Sequence, residues 1–318
     1  MLSPFQFGRD VRRKAARLGT AALVSFVCQS SVFSQSAGFS FLKSSPSPSL
    51  NATASSNLVD ASDPFSVWAN PAASARGRKI QVAFSYRRWV EGMNSGFLGA
   101  GFGIGGWRVA TVFAASSVTD IPIRPLPGDP VGTFDQHDMA LTVAASRQFS
   151  ERLSLGVGLT GLYEQIYVDD VTLLTGSIGG VYSLPSAGID IAASVTHLGK
   201  GTSFNSETTK PPTTVAIGLA RGFDLPQLSG SAALSASIVK SVGEDAVHVR
   251  GGGSLDFAGA VTVRAGYESG YDSRGLTFGL GLRYRALRLD YAFVPFRDGI
   301  GDMNWFGVQL SFSTSDEE

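Results

Sequence analysis

The chain is almost free of cysteine, with Cys28 alone among 318 residues, so its stability must come from packing and backbone pairing and not from disulfides. Charge is also thin, since 16% of residues are Asp, Glu, Lys or Arg against ~25% in ordinary soluble domains. The 26 basic residues match the 26 acidic ones, for a net charge of +0. Without a basic excess there is no face to neutralise phosphates, and nucleic acid is excluded as a partner. Past the N-terminal region no run reaches the ~18 consecutive apolar residues of a spanning helix. Membrane residence, if the chain has it, is therefore by strands. The 3 histidines, His137, His197 and His248, have no second His or Cys at metal-ligand spacing. One isolated ligand does not define a metal site, and no Gly-x-Ser-x-Gly nucleophile elbow is present. No enzymatic activity, metal or other cofactor is expected.

Glycine and apolar residues are what the chain has in quantity: 38 Gly and 43% hydrophobic residues, with a mean hydropathy of +0.12. Glycine costs about 1 kcal/mol at each helix-interior position, which argues against a helical bundle. The apolar content excludes disorder beyond roughly the first seventy residues. Length alone suggests two domains, yet large β-barrels reach this size as one.

Residues 1–36 read as an export signal. Arg9, Arg12, Arg13, Lys14 and Arg17 form a basic region, Leu18 to Val27 a short apolar one, and Ser34-Gln35-Ser36 a small-x-small cleavage pattern. The apolar stretch is too short to cross ~30 Å of hydrocarbon as a helix. Arg12-Arg13 is not followed by a good twin-arginine motif. Val27 is larger than the residue preferred before a lipidated cysteine, so Cys28 is expected to leave with the signal. Residues 37–78 are rich in Ser, Ala, Asn and Pro, as in Lys43-Ser44-Ser45-Pro46-Ser47-Pro48, and hold no sustained period. Such a segment needs something else to order it.

From Lys79 the hydrophobic period becomes two. Met139, Leu141, Val143 and Ala145 alternate with Asp138, Ala140, Thr142, Ala144 and Ser146. After the turn Ser150-Glu151-Arg152, Leu153, Leu155, Val157 and Leu159 alternate with Ser154, Gly156, Gly158 and Thr160. Alternate side chains of a strand face opposite sides, so each segment has one greasy and one small, polar face. Fourteen such segments begin near Ile80, Phe97, Trp107, Met139, Leu153, Thr172, Ile189, Thr213, Ser231, Ala246, Val261, Leu276, Leu287 and Trp305. Short connections at Ser150–Arg152, Pro185–Gly188, Phe223–Ser229, Phe257–Ala260 and Arg285–Ala286 contrast with long ones at Ser117–Gln136, Gly199–Lys210 and Pro295–Met303. An even strand number, short turns on one side and long loops on the other are the barrel signature. The expectation is all-β: a transmembrane antiparallel up-and-down β-barrel of about 14 strands over residues 79–312. An irregular, plug-like N-terminal segment precedes it and an acidic tail at 313–318 follows.

A soluble β-sandwich shows the same alternation but sets charged residues on its outer face. Here the face opposite the apolar stripe is Gly, Ala, Ser and Thr with single charges, which suits a lumen. Trp89, Trp107, Tyr163, Tyr182, Phe223, Tyr267, Tyr284, Tyr291 and Trp305 fall towards segment ends, where interfacial girdles would place them. Two stretches, Gly101-Phe102-Gly103-Ile104-Gly105-Gly106 and Gly156-Val157-Gly158-Leu159-Thr160-Gly161, match the dinucleotide fingerprint G-x-G-x-x-G. That fingerprint needs a helix N-terminus to receive the pyrophosphate, whereas alternating segments follow here. The glycines are read as a small lumenal face or as room for the N-terminal segment. Arg250, Asp256, Arg264, Glu268, Arg283, Arg288 and Asp290 share the polar face of the strands beginning near Ala246, Val261, Leu276 and Leu287. They are expected to form a lumenal ion network stiffening the wall. The competing readings of these charges are a docking surface for the N-terminal segment or a passing ligand, and, near the strand ends, charges that simply face water.

Phe41-Leu42-Lys43, then Asp63-Pro64-Phe65-Ser66-Val67-Trp68-Ala69-Asn70-Pro71-Ala72, then a barrel opening over Ile80 to Trp89, resembles the PorV/PorQ family of the type IX secretion system. That family belongs with the FadL-like fourteen-stranded barrels. The resemblance continues through His197-Leu198-Gly199-Lys200, through Pro211-Pro212-Thr213-Thr214-Val215 and on to Leu289-Asp290-Tyr291-Ala292-Phe293-Val294-Pro295-Phe296. It covers about Phe41 to Phe312. The region between the Phe-Leu-Lys and Asn-Pro-Ala motifs is Ser- and Asn-rich where the family is glycine-rich. Gly307, Leu310 and Phe312 resemble the C-terminal signal read by the barrel assembly machinery, though Ser313 to Glu318 follow an aromatic that is usually terminal.

The resemblance implies residence in the outer membrane of a Gram-negative bacterium, in contact with outer-membrane lipid. It implies a non-enzymatic role: binding secreted cargo through its C-terminal sorting domain, or joining other type IX components. Asn70, Pro71 and Ala72 would then position the N-terminal segment in or at the barrel. Ser117–Gln136 and Gly199–Lys210 would be partner-facing loops, the first restricted by Pro122, Pro125, Pro127 and Pro130. The competing reading is a FadL-like transporter of hydrophobic small molecules across the outer membrane, and a third is a purely structural surface barrel. Fold does not choose among them.

Overall fold

The computed structural model describes residues 39–77, 79–89, 92–204 and 207–312, so the export signal expected over 1–36 and the tail at 313–318 lie outside the described residues. The strands are β1 Ile80–Arg88, β2 Asn94–Ile104, β3 Trp107–Ile123, β4 Gly132–Gln148, β5 Leu153–Ile166, β6 Asp169–Leu184, β7 Ile189–Leu198 and β8 Thr202–Phe204. There follow β9 Glu207–Thr209, β10 Thr214–Leu225, β11 Gly230–Ser241, β12 His248–Phe257, β13 Val261–Glu268, β14 Leu276–Tyr284, β15 Leu287–Pro295 and β16 Asp302–Phe312. All but β8 and β9 join in one closed barrel of fourteen strands, each beside its neighbour in sequence. β1 closes against β16, with Ile80 opposite Phe312 and Arg88 opposite Asn304. Closure leaves no edge strand with unpaired backbone groups, which is the condition for crossing hydrocarbon with strands.

The alternation in the sequence becomes an inside and an outside. In β4, Met139, Leu141 and Val143 are exposed while Asp138, Ala140, Thr142, Ala144 and Ser146 are buried. In β5, Val157 and Leu159 are 56% and 60% exposed, yet Ser154 and Thr160 are buried. The same holds from Val82 and Phe84 on β1 to Phe306 and Val308 on β16. An apolar exterior this continuous far exceeds the patches that soluble monomers carry. It marks the protein as a transmembrane barrel.

Most connections sort by end as expected, although the two-residue turn Tyr167-Val168 between β5 and β6 lies at the end of the longer ones. Gly105 and Gly106, at φ 56° and 77°, make the two-residue turn between Ile104 and Trp107, which face one another, the geometry that favours glycine in hairpins. Ser117–Gln136, expected as a loop, is instead mostly paired. β3 and β4 run on past a register shift between Val118 and Ile121, with Ile121 opposite Phe134 and Ile123 opposite Gly132. The apolar alternation of Ile121 and Ile123 continues there, so the ladder persists and the connection shrinks to residues 124–131. The Gly199–Lys210 connection carries the small β8–β9 hairpin. Trp305 also departs from expectation. It points inward, 1% exposed, opposite Arg87, whose guanidinium lies 5.6 Å from its ring, so it belongs to the lumen and not to a girdle.

Residues 39–77 fill that lumen. They form 3₁₀ turns at Ser40–Lys43, Pro64–Trp68 and Ala73–Arg76 and one α-helical turn at Pro48–Asn51. Ser47 accepts from the Leu50 amide and Asp63 from the Phe65 amide. Each cap precedes a proline, which has no amide hydrogen to leave unsatisfied at the first helical position.

Candidate functional site

Asp63 ties the lumenal segment together and to the wall. Its Oδ2 accepts from Ser47 Oγ at 2.5 Å and Ser49 Oγ at 3.0 Å, while Oδ1 accepts from Phe65 N at 2.9 Å. From the wall, Arg288 Nη2 reaches Asp63 Oδ2 at 3.2 Å. Further tethers run round the barrel: Ser85 Oγ to Pro46 O at 2.6 Å, Ser194 Oγ to Ala69 O at 2.7 Å and Gln309 Nε2 to Ser62 O at 2.7 Å. Arg76 pairs with Asp190 at 3.0 Å and Lys43 with Glu244 at 2.6 Å.

Asn70, Pro71 and Ala72 approach the wall closely. Asn70 is fully buried, donates from Nδ2 to Leu58 O at 2.8 Å and accepts from Ala72 N at 3.0 Å. Both donor and acceptor of the amide are thereby used to fold the segment on itself. The wall yields at two glycines. A Cβ on Gly156 would stand 2.5 Å from the Pro71 carbonyl carbon, and one on Gly179 would collide with Asn70 Oδ1. Gly156 belongs to one of the G-x-G-x-x-G stretches, so its place in the fold is the room it leaves for this motif.

The charged residues fall into two groups. Arg250, directly opposite Glu268, bonds to it at 2.5 Å, with Arg274 on the other carboxylate oxygen at 3.3 Å. Asp290 receives Arg264 Nη1 at 2.9 Å and Arg288 Nε at 2.6 Å. Asp256 and Arg283 join neither group. Asp256 accepts from Gly259 N at 2.7 Å and Thr262 Oγ1 at 2.9 Å. The sequence pattern does not mark Asp63, Arg274, Lys43 or Glu244 as partners in ion pairs. Asp63-Pro64 carried a readable signal, a capping residue before a first-turn proline; the other contacts are between residues remote in sequence.

Between segment and wall the lumen is two-sided. Towards β2–β6, Phe41, Leu42 and Trp68 pack with Phe97, Leu162, Val171 and Leu173 in an apolar seam. Towards β11–β15 hydroxyls and the ion pairs above join the lining, beside smaller apolar contacts of Leu58 with Val239 and of Ala52 with Ala292 and Val294. Of the histidines, His197 is buried edge-on to Trp68 at 5.9 Å, His248 stacks on Tyr271 at 4.1 Å and His137 lies on β4, half-buried. Among the described residues no group of three or more His, Cys, Asp or Glu is placed to hold a metal.

The C-terminal residues divide as well. Leu310 and Phe312 are exposed on the apolar exterior, but Gly307 faces inward, where a Cβ would stand 2.7 Å from Pro48 Cγ. Gly307 therefore has a local reason to be glycine.

No protein-family model matches the sequence, and no curated sequence matches it. Solved structures do. The CymD monoaromatic hydrocarbon channel gives a TM-score of 0.59 over 85% of this chain and 98% of that one, at 11% identity. The toluene transporter TodX of Pseudomonas putida gives 0.54 over 76% and 91%, at 13% identity. A FadL homologue from Pseudomonas aeruginosa gives 0.50 over 81% and 96%, at 13% identity. At these identities the likeness is one of fold. The class is thus the 14-stranded outer-membrane type of β-barrel with its own N-terminal segment in the lumen. Its fold is the one these three solved barrels share.

Proposed function

We propose that the protein is an outer-membrane conduit for small hydrophobic molecules, non-enzymatic, exported by a cleaved signal and inserted by the barrel assembly machinery. The observation that carries this is the apolar seam of Phe41, Leu42 and Trp68 against Phe97, Leu162 and Val171. A hydrocarbon gains ~25 cal/mol for each Å² it removes from water, and inside the barrel the seam offers such burial. The barrels of similar fold include ones named as a hydrocarbon channel and a toluene transporter, which supports the same reading. The lumenal segment is the element that must shift for passage. Uptake of radiolabelled toluene by cells lacking and then re-expressing the protein tests it: uptake rising with expression is the expected result, and equal uptake would reject the conduit.

A second reading keeps the type IX role, with secreted cargo held by its C-terminal sorting domain. In its favour are the sequence motifs of the resemblance and the β3–β4 hairpin, whose tip carries Leu126 and Val131 at 76% and 73% exposure. Pull-down from native membranes separates the two. Secreted proteins sharing a C-terminal domain, lost when 124–131 is replaced by a short turn, would favour cargo binding over conduction.

A further inference from the structure

At the short-turn end of the lumen, a cavity of about 310 Å³ lies between the N-terminal segment and β11–β15. That is the lower end of the ~300–1,000 Å³ range of small-molecule sites. No aromatic side chain lines it; Arg264, Arg283, Arg288, Asp60, Asp256 and Asn57 do, with serine and threonine hydroxyls between them. Two of the arginines are already neutralised. Gly281 lets Arg264 reach across β14 to Asp290, since a Cβ there would stand 2.7 Å from Arg264 Nη1 and 2.8 Å from Asp290 Oδ1. Arg288 is held by Asp290 and Asp63.

Arg283 differs. It is exposed where the cavity opens to water, lies directly opposite Arg288 in the β14–β15 register, and among the described residues no carboxylate pairs with it. Like charges so placed repel, and a guanidinium has only donors to offer. Asp60 and Asp256 are each engaged by local donors, Asp60 by Ser62 N and Oγ at 2.8 and 2.7 Å and Asp256 by Gly259 and Thr262. An ionised carboxylate accepts about four hydrogen bonds, so both retain accepting capacity. A ligand that suits this lining has one oxyanion for Arg283 and hydroxyls that donate to the aspartates while accepting from Asn57 and the hydroxyl side chains. A hydrocarbon would offer Arg283 and the free accepting positions of the aspartates no partner.

We propose that this cavity binds a small hydroxylated carboxylate of the sugar-acid class, with its carboxylate on Arg283. Asn57 and Asp60 come from the N-terminal segment, and Arg283 and Asp256 from the wall, so the site is complete only while the segment is seated. Bound ligand therefore holds the segment in place. This site stands independently of the conduit reading, and its test measures binding without transport.

The test is calorimetry on the full mature barrel in detergent, with D-glucuronate as the probe and D-glucose as its uncharged match. Glucuronate is expected to bind at millimolar concentrations, with glucose about tenfold weaker or more, as for loss of a charge-assisted bond. Arg283→Gln is expected to weaken glucuronate by a similar factor and Arg283→Lys by less. Arg221→Gln, on the outward parity of Ile217 and Leu219 and stacked 4.8 Å from Phe223, should leave it unchanged. Glucuronate should also slow hydrogen exchange over residues 47–63. Heat-shifted gel mobility first establishes that each variant is a closed barrel; if Arg283→Gln does not close, the glucuronate–glucose comparison and the exchange result on the natural chain decide. Equal affinity for the two probes, no binding of glucuronate, or unaltered affinity in a closed Arg283→Gln barrel would overturn the proposal.

Discussion

Arg288 on β15 and Asp63 on the N-terminal segment meet at 3.2 Å, Nη2 to Oδ2, with side chains 9% and 2% exposed. The same guanidinium holds Asp290 of its own strand, and the same carboxylate caps the Pro64–Trp68 turn. One ion pair thus joins the fold of the segment to the wall around it. Arg288→Met keeps much of the volume and leaves Asp63 without its cation. Removing one partner of a buried pair costs about 3–5 kcal/mol. The expected outcome is protease cleavage within 39–77 in a barrel that still shifts on heating; full protection would show that other tethers suffice.

Two close approaches to the wall give a steric test. Gly179→Val and Gly156→Val drive a side chain into Asn70 and Pro71 and should unseat the segment, raising single-channel conductance in planar bilayers. Gly161→Val, at a position where a Cβ meets nothing within 4 Å, is the matched control and should conduct like the natural protein.

Locking the segment tests whether it moves. Ser74 and Ser146 have hydroxyls 2.9 Å apart, and Cys28, in the expected signal, is the chain's one cysteine. The double variant S74C/S146C is placed for a disulfide, which wants Cβ atoms ~3.5–4.5 Å apart. Hydrophobic uptake should fall on oxidation and return with reductant. Uptake indifferent to the bridge would mean that passage does not require movement at this point.

Acid should loosen the outer tether. Glu244 lies in the β11–β12 connection; burial pushes its carboxyl up, but the hydrogen bond and charge of Lys43, with His248 beside it, hold it below the usual value of 4.5. A carboxyl lowered by folding stabilises the native state above its unfolded pKa, and that contribution drains away as pH falls through the folded one. The Lys43–Glu244 contact should therefore be at full strength at neutral pH and lost below 4.5. Amide exchange at residues 41–45, corrected for its intrinsic pH dependence, should quicken over that window, and Glu244→Gln should abolish the step.

Gly307 and Phe312 are separable. Phe312→Ala changes the exposed face and should reduce assembly, seen as less heat-modifiable protein in membranes. Gly307→Ala should insert normally yet disturb the segment at Pro48, read by protease sensitivity. Equal assembly defects in both would return Gly307 to the insertion signal.

The strands were legible because alternation is local. A residue's outward or inward facing follows from its parity, so Met139 to Ser146 declared both surfaces of β4 before any partner was known. The even strand count and the sidedness of the turns followed from the same pattern. Less legible is where pairing stops: the stretch from Ser117 to Gln136 reads as a long loop, while Ile121 and Ile123 keep the ladder going. Trp305 looked like a girdle residue until its register with Arg87 turned it inward.

By itself, then, the sequence determined the barrel, its two faces and the presence of a segment with no period of its own. Only the tertiary structure decided what fills the lumen and which charges meet. Asp63 and Arg288 are 225 residues apart in the chain, and Arg264 finds Asp290 across a whole strand because Gly281 leaves the space. Parity places a side chain on a face, but which side chains touch across the lumen depends on barrel closure, strand register and the path of the segment within.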